Sequence, residues 1–205
     1  MGLRHIDPET PKTQARVAGR GDRKWQLIAI LFFLAATWTT SFAGFLNPDL
    51  TQSLALIPRS GEQWWGVLSL VLVHADFAHL LANSAPLAVL LFLLVLRNIQ
   101  SFFGLWLLSM LLAGLFLWLV GRSGLHVGAS GLVFALFGVH LANGVFNRTL
   151  LDVVVAAVVG VAYWGMLAGL LPNQPGVSWE GHLTGLIAGV LSSWVLRRRQ
   201  QAQSI

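Results

Sequence analysis

The feature that most constrains this chain is a series of long apolar runs with almost no charge inside them. A helix that crosses a bilayer needs roughly 20 mostly apolar residues, and every backbone polar group must find its partner within the span. Only 10% of the 205 residues are charged and 56% are hydrophobic, against about 25% charged in an ordinary soluble domain. A soluble fold could not cover its surface with so little charge. The expected class is therefore all-α, a polytopic membrane protein of six helices at about 25–45, 79–96, 101–120, 131–145, 151–171 and 181–196.

A polar, mobile tail is expected over 1–24 and a basic tail over 197–205. No cleaved signal is expected, because the first apolar run is longer than a signal core and no small-residue cleavage site precedes it. Between the first two spans, residues 46–78 form a long loop, in which the apolar stretch 67–73 is too short to cross and belongs at the interface or against the bundle. Of the 13 Lys and Arg residues, 11 fall in the two tails or at Arg97 and Arg148, and only Arg59 and Arg122 fall on the other side. The excess of basic residues on one side predicts both termini in the cytoplasm. Loops 46–78, 121–128 and 172–180 then face outward.

The chain has no cysteine, so a thiolate nucleophile, a disulfide and a Cys-ligated metal are excluded. With so little chain outside the apolar runs, a nucleic-acid face is not expected. Polar residues inside a span are costly and so are candidates for function. Three groups stand out. His79 and Asn83, four apart at the start of the second span, share one helix face. They could glue helices by hydrogen bonds or donate to one common point. Gly128-Ala129-Ser130-Gly131 sits where an outer loop enters the short fourth span. Ser130 could be a plain helix cap or a nucleophile beside free backbone N–H groups. His182 opens the sixth span, with Gly185 and Gly189 on its face. Gly131, Ala135, Gly138 and Ala142 form a matching small-residue seam on the fourth span. Packing these two seams together would bring Ser130 and His182 within reach of each other. A serine needs a base to become a nucleophile, and a neutral imidazole suits that task near pH 7.

These motifs resemble the rhomboid family of intramembrane serine proteases. The resemblance rests on His74, His79 and Asn83 in the second-span pattern, on the GxSG motif 128–131, and on His182, Gly185 and Gly189 in the last span. It covers roughly residues 64–196. It implies a six-span rhomboid-like bundle in which Ser130 is the nucleophile and His182 the base, as a dyad without an aspartate. His79, Asn83 and backbone amides around Ser130, at Gly128 and Ala129, would form the oxyanion hole. His74, Phe134, Gly131, Gly185 and Gly189 would support it. The 172–180 loop would resemble the family's cap, and the fifth span its lateral gate. Substrates would be membrane-spanning proteins cut near the outer boundary of a bacterial cytoplasmic membrane, with no cofactor and no metal. Two positions depart from the family pattern: Phe134 stands where a tyrosine is common, and Trp65-Gly66 where Trp-Arg is common.

The remaining polar residues are expected to be structural. Asp76 reads as a turn residue, His126 as a loop histidine without partners, His140 as a packed residue too deep for the dyad, and Asp152, beside Arg148, as a boundary residue. Trp179 could line substrate entry. Three rival functions are weaker. A metalloprotease lacks HExxH and a carboxylate ligand on the second span. A non-catalytic rhomboid-like protein that binds or sorts membrane proteins is the alternative. A transporter would want charges or broken helices near the midplane.

Overall fold

The computed structural model describes residues 11–97, 101–172 and 174–203, with side chains over 23–97, 101–172 and 174–198. Asn98–Gln100 of the expected polar break, Asn173 of the cap loop, and the outermost parts of both expected tails lie outside the described residues. The described chain is helical: α1 Pro11–Leu46, α2 Pro48–Leu54, α3 Gly66–Ser69, α4 Phe77–Leu96, α5 Phe102–Val120, α6 Ser130–Asn147, α7 Leu150–Ala162 and α8 Trp179–Gln203. Short 3-10 turns cover Leu70–Leu72 and Trp164–Leu170.

Among the described residues, four helices are long and apolar enough to cross a membrane: Arg23–Leu46, Phe77–Leu96, Phe102–Val120 and Ser130–Asn147. A fifth arises if α7 and the 3-10 segment Trp164–Leu170 count as one span, although they meet at a 65° bend. The fifth helix is thus broken where one continuous run was expected. Gly165 and Gly169 weaken helix after the bend, and the Gly169 carbonyl is drawn to a side-chain partner described below. α8 is not among the long apolar helices. Glu180, His182, Thr184, Ser192 and Ser193 interrupt it, and Arg197–Arg199 end its apolar part. At the other end of the chain, α1 begins at Pro11, inside the segment expected as a tail.

α6 is the axis of the bundle. About 67% of its apolar window is buried, against 22% for α1, 39% for α4 and 33% for α5. The expected seam between α6 and α8 is present and is as close as backbone allows. A Cβ at Gly185 would run into the Gly131 carbonyl, and one at Gly189 into the Ala135 carbonyl. From the other side, a Cβ at Gly138 would lie 2.6 Å from the Leu186 carbonyl oxygen. Small residues let two helix backbones meet in this way, and the alignment brings the starts of α6 and α8 together.

The outer loops are fastened to this bundle. In the first, Leu70, Val71 and Val73 are buried, so the short apolar stretch packs on protein. Without an arginine after Trp65, other donors anchor the loop: Gln63 Nε2 donates to the Ala55 carbonyl at 2.8 Å, Trp65 Nε1 to Ser53 at 2.8 Å and Ser69 Oγ to Leu54 at 2.8 Å. Gly66 suits its place because a Cβ there would lie 2.5 Å from the Ala55 carbonyl oxygen.

His126 has partners after all. Its backbone pairs with Leu56 at 2.9 Å in both directions. Its Nε2–H donates to the Arg122 carbonyl at 2.9 Å, leaving Nδ1 to accept from Ser178 Oγ at 2.8 Å. Ser178 in turn accepts the Gly181 N–H at 3.2 Å at the start of α8. One histidine therefore ties the first loop, the 121–128 loop and the cap loop together.

At the opposite end, Asp152 pairs with Arg97 rather than with neighbouring Arg148, and both side chains are buried. Arg97 Nη1 donates to His140 Nδ1 at 3.3 Å, and His140 Nε2–H donates to the Leu90 carbonyl at 2.9 Å. Thr149 caps α7, accepting the Asp152 N–H at 3.1 Å and donating to Asp152 Oδ2 at 2.7 Å. His140 is packed in this network, on the far side of the bundle from the seam's outer end.

Candidate active site

A cavity of about 770 Å³ opens between α4, α6, α8 and the outer loops. Ser130, His182, His79, Asn83 and Phe134 all line it. Each is delivered by a helix start. Ser130 is the first residue of α6. His79 and Asn83 follow the cap of α4, where Asp76 Oδ1 accepts the His79 N–H at 2.8 Å. His182 lies in the first turn of α8.

The plain-cap explanation of Ser130 does not hold. Ala129 occupies the cap position of α6, and no side-chain cap hydrogen bond is made there. The Ser130 hydroxyl is left facing the cavity. His182 lines the same space, with no direct hydrogen bond between the two. The imidazole stacks on Phe134, centroids 4.2 Å apart and planes 11° from parallel. Its Nδ1 lies 2.8 Å from the Gly169 carbonyl oxygen. A carbonyl can only accept, so Nδ1 carries the proton and Nε2 keeps its lone pair.

Gly128 has φ +106°, a left-handed conformation that favours glycine. A Cβ there would lie 2.5 Å from His79 Cε1, 2.7 Å from His79 Nε2 and 3.5 Å from Asn83 Nδ2. The His79 ring and the Asn83 amide thus stand directly over the GxSG loop. Asn83 Nδ2 is buried and has no hydrogen-bond partner. An unpaired buried donor is costly, and here it borders the cavity beside the serine.

Among the backbone amides expected to serve the same purpose, Gly128 and Ala129 are already engaged. Gly128 N–H donates to the Leu70 carbonyl at 2.9 Å and Ala129 N–H to His74 Nε2 at 3.2 Å. Their part is to hold the loop. The Ser130 N–H lies in the first turn of α6, where no carbonyl precedes it along the helix.

His74 is buried and works as a strut. Its Nε2 accepts from Ala129, so its Nδ1–H donates to Ser41 Oγ at 3.0 Å, and Ser41 donates on to the Leu72 carbonyl at 3.1 Å. Burial, and then the neighbouring His79, hold its pKa well below the ordinary histidine value, at about 4, against an opposing pull from Asp76. The ring is therefore neutral at pH 7, as its acceptor role requires.

Above the cavity, Arg122 Nη2 donates to the Val177 carbonyl at 2.7 Å, and its Nε lies 3.6 Å from Glu180. Gln174–Ser178 form the cavity's roof; Trp179 is the first residue of α8 and is not part of the lining. Among the described residues, no three His, Asp or Glu side chains converge to hold a metal ion. Gly169, Ser41, Arg122 and Ser178 were not legible as site residues. Three are ordinary polar side chains in unremarkable contexts, and Gly169 contributes only backbone.

Residues 61–199 match the family model described as the Rhomboid domain. An uncharacterized protein of Mycobacterium tuberculosis is 35% identical over 200 residues, covering 92% of this chain and 82% of its own length. An uncharacterized protein of Mycobacterium leprae is 31% identical, covering 84% of this chain and 73% of its own length. The Bacillus subtilis protein named "Putative rhomboid protease YdcA" is 28% identical, covering 68% of this chain and 70% of its own length.

Proposed function

The chain belongs to the rhomboid family, and we propose that it is an intramembrane serine endopeptidase acting through Ser130 and His182. The observation that carries this reading is the convergence of Ser130, His182 and the unpaired Asn83 amide on one cavity.

In this reading, Ser130 Oγ attacks the scissile carbonyl while His182 Nε2 takes the hydroxyl proton. Negative charge gathers on the carbonyl oxygen. Asn83 Nδ2–H, the Ser130 N–H and the His79 ring are the donors suited to receive it. As the C–N bond breaks, His182 returns its proton to the departing amine, leaving an acyl group on Ser130. Water then enters the cavity and adds to the acyl carbon as His182 takes its proton; the C–Oγ bond breaks, His182 returns the proton to Ser130 Oγ, and the acid leaves. No cofactor takes part. Pro86 on the cavity wall favours hydration, because it has no N–H to offer the Ala82 carbonyl, and Ala82 also lines the cavity.

The substrates in this reading are transmembrane proteins. The chain forms a six-span bundle, with the bent pair as the fifth span and α8 as the sixth. It sits in a bacterial cytoplasmic membrane with both termini inside, and the cavity opens outward. The basic residues gathered at the inner ends support this orientation.

The test is cleavage of a transmembrane reporter by purified protein in liposomes, with fluorophosphonate labelling in parallel. The wild type should cut and label at Ser130. Ser130→Ala and His182→Ala should do neither, and a chelator should change nothing. A folded wild type that does not label would instead favour a rhomboid-like binder of membrane proteins.

A further inference from the structure

The bent segment Trp164–Leu170 meets the site at one point. There, the Gly169 carbonyl accepts the Nδ1–H of His182 at 2.8 Å. A Cβ on Gly169 would lie 2.8 Å from Nδ1, 3.2 Å from Cε1 and 3.4 Å from Phe134 Cζ. Bare backbone therefore lies against the ring edge, and any side chain would push it away. The ring is held on its face by α6, through Phe134, and at Nδ1 by this segment. In a Ser-His-Asp site a buried carboxylate accepts the Nδ1–H and fixes the tautomer that leaves Nε2 free. Here Glu180, in the same turn as His182, is the acid closest in sequence, and it is paired with Arg122.

We propose that the Gly169 carbonyl is the positioning group for His182, taking the place of the third member of a triad, and that His182 is set as a base only while the segment Trp164–Leu170 lies against it. The inference rests on the protease reading above. The proton inventory is simple. Nδ1–H stays on the ring throughout, shared with the Gly169 oxygen. Nε2 takes the Ser130 proton as the Oγ–C bond forms and gives it to the amine as the C–N bond breaks. During that interval the ring is an imidazolium, and the carbonyl dipole faces its charge. The segment is separated from α7 by the 65° bend at Tyr163 and is tied to the cap loop by Gln174 Nε2, which donates to the Ala168 carbonyl at 2.9 Å. A displacement of the segment therefore releases Nδ1 and lets the ring change tautomer.

The test weakens the acceptor without changing a side chain. Replacing Leu170 by its α-hydroxy acid turns the Gly169 carbonyl into an ester carbonyl, a poorer acceptor. The same change at Ala168 alters the Leu167 carbonyl instead and serves as the control. Two quantities are read: the ring ¹⁵N spectrum of His182, which reports its tautomer, and kcat against KM on the reporter. The wild type and the control should hold the Nδ1–H form. The ester at 170 should give mixed tautomers and a kcat lower by roughly tenfold, with KM little changed. If Ser130 labels normally but the two esters match in both spectrum and kcat, this inference fails alone. If wild-type Ser130 does not label, the protease reading fails and takes the inference with it.

Discussion

The rings of Phe134 and His182 are stacked nearly parallel, 4.2 Å between centroids. Where the family resemblance implies a tyrosine, a phenyl ring fixes the plane of the imidazole by contact alone. Ring stacking contributes about 0.5–1.5 kcal/mol, so Phe134→Ala should lower kcat by up to about tenfold. Phe134→Tyr should stay near wild type, since the stacked face is unchanged. Steady-state kinetics on a transmembrane reporter will check both.

Asn83→Ala removes a buried donor that no protein group satisfies. The fold loses little at Nδ2, because no hydrogen bond is broken there. If the oxyanion is the missing partner, kcat should fall by roughly 10²–10³, the usual effect of losing one such donor. Thermal stability measured beside kcat separates the two effects.

His74 titrates differently in the folded and unfolded chain. In the unfolded chain it gains a proton as the pH falls through the ordinary histidine value, about 6.5. In the folded protein it does so only near 4. Its contribution to stability is therefore complete above pH 6.5 and is lost progressively between 6.5 and 4. His74→Gln keeps an acceptor for Ala129 but cannot titrate. Melting temperatures across that window should fall less steeply for the variant than for the wild type.

Gly189→Ala forces a methyl group against the Ala135 carbonyl. Overpacking of this kind costs about 1–3 kcal/mol, and spreading the seam also parts Ser130 from His182. Gly61→Ala is the control, since nothing lies within 4 Å of the added atom. Thermal denaturation and reporter cleavage should both fall for the first variant and for neither measure in the second.

Arg97→Leu leaves the buried Asp152 carboxylate without its cation. Removing one partner of a buried pair costs roughly 3–5 kcal/mol. The double variant Arg97→Leu, Asp152→Leu should recover most of that loss. Equilibrium unfolding of the three proteins in mixed micelles measures the cycle.

How much could be read in advance depends on where the information lies. Apolar runs and small-residue spacing are written in side chains, so α4, α5, α6 and the α6–α8 seam were legible. The bend between α7 and its 3-10 extension was not, because an apolar run reads alike whether it is straight or broken. At the candidate site, Ser130, His182, His79 and Asn83 carry distinctive side chains, and all four line one cavity. The amides of Gly128 and Ala129 donate to the Leu70 carbonyl and to His74, and no sequence states which carbonyl or imidazole an N–H has met. His126 was passed over because its partners, Ser178 and the Arg122 carbonyl, come from distant stretches or from backbone. Asp152 reads in sequence as a boundary residue beside Arg148, and its pairing with the distant Arg97 is made only by folding.

The deep burial of α6 has a consequence for how the surroundings act on the protein. Most of the apolar length of α1, α4 and α5 lies outside the protein core and is open to lipid, whereas little of the helix that begins at Ser130 is. Bilayer thickness and fluidity therefore press chiefly on the outer wall of the bundle. If Ser130 is the nucleophile proposed above, it rides on a spindle shielded from that pressure, so a change of membrane should alter how often a substrate arrives more than how fast it is cut once seated.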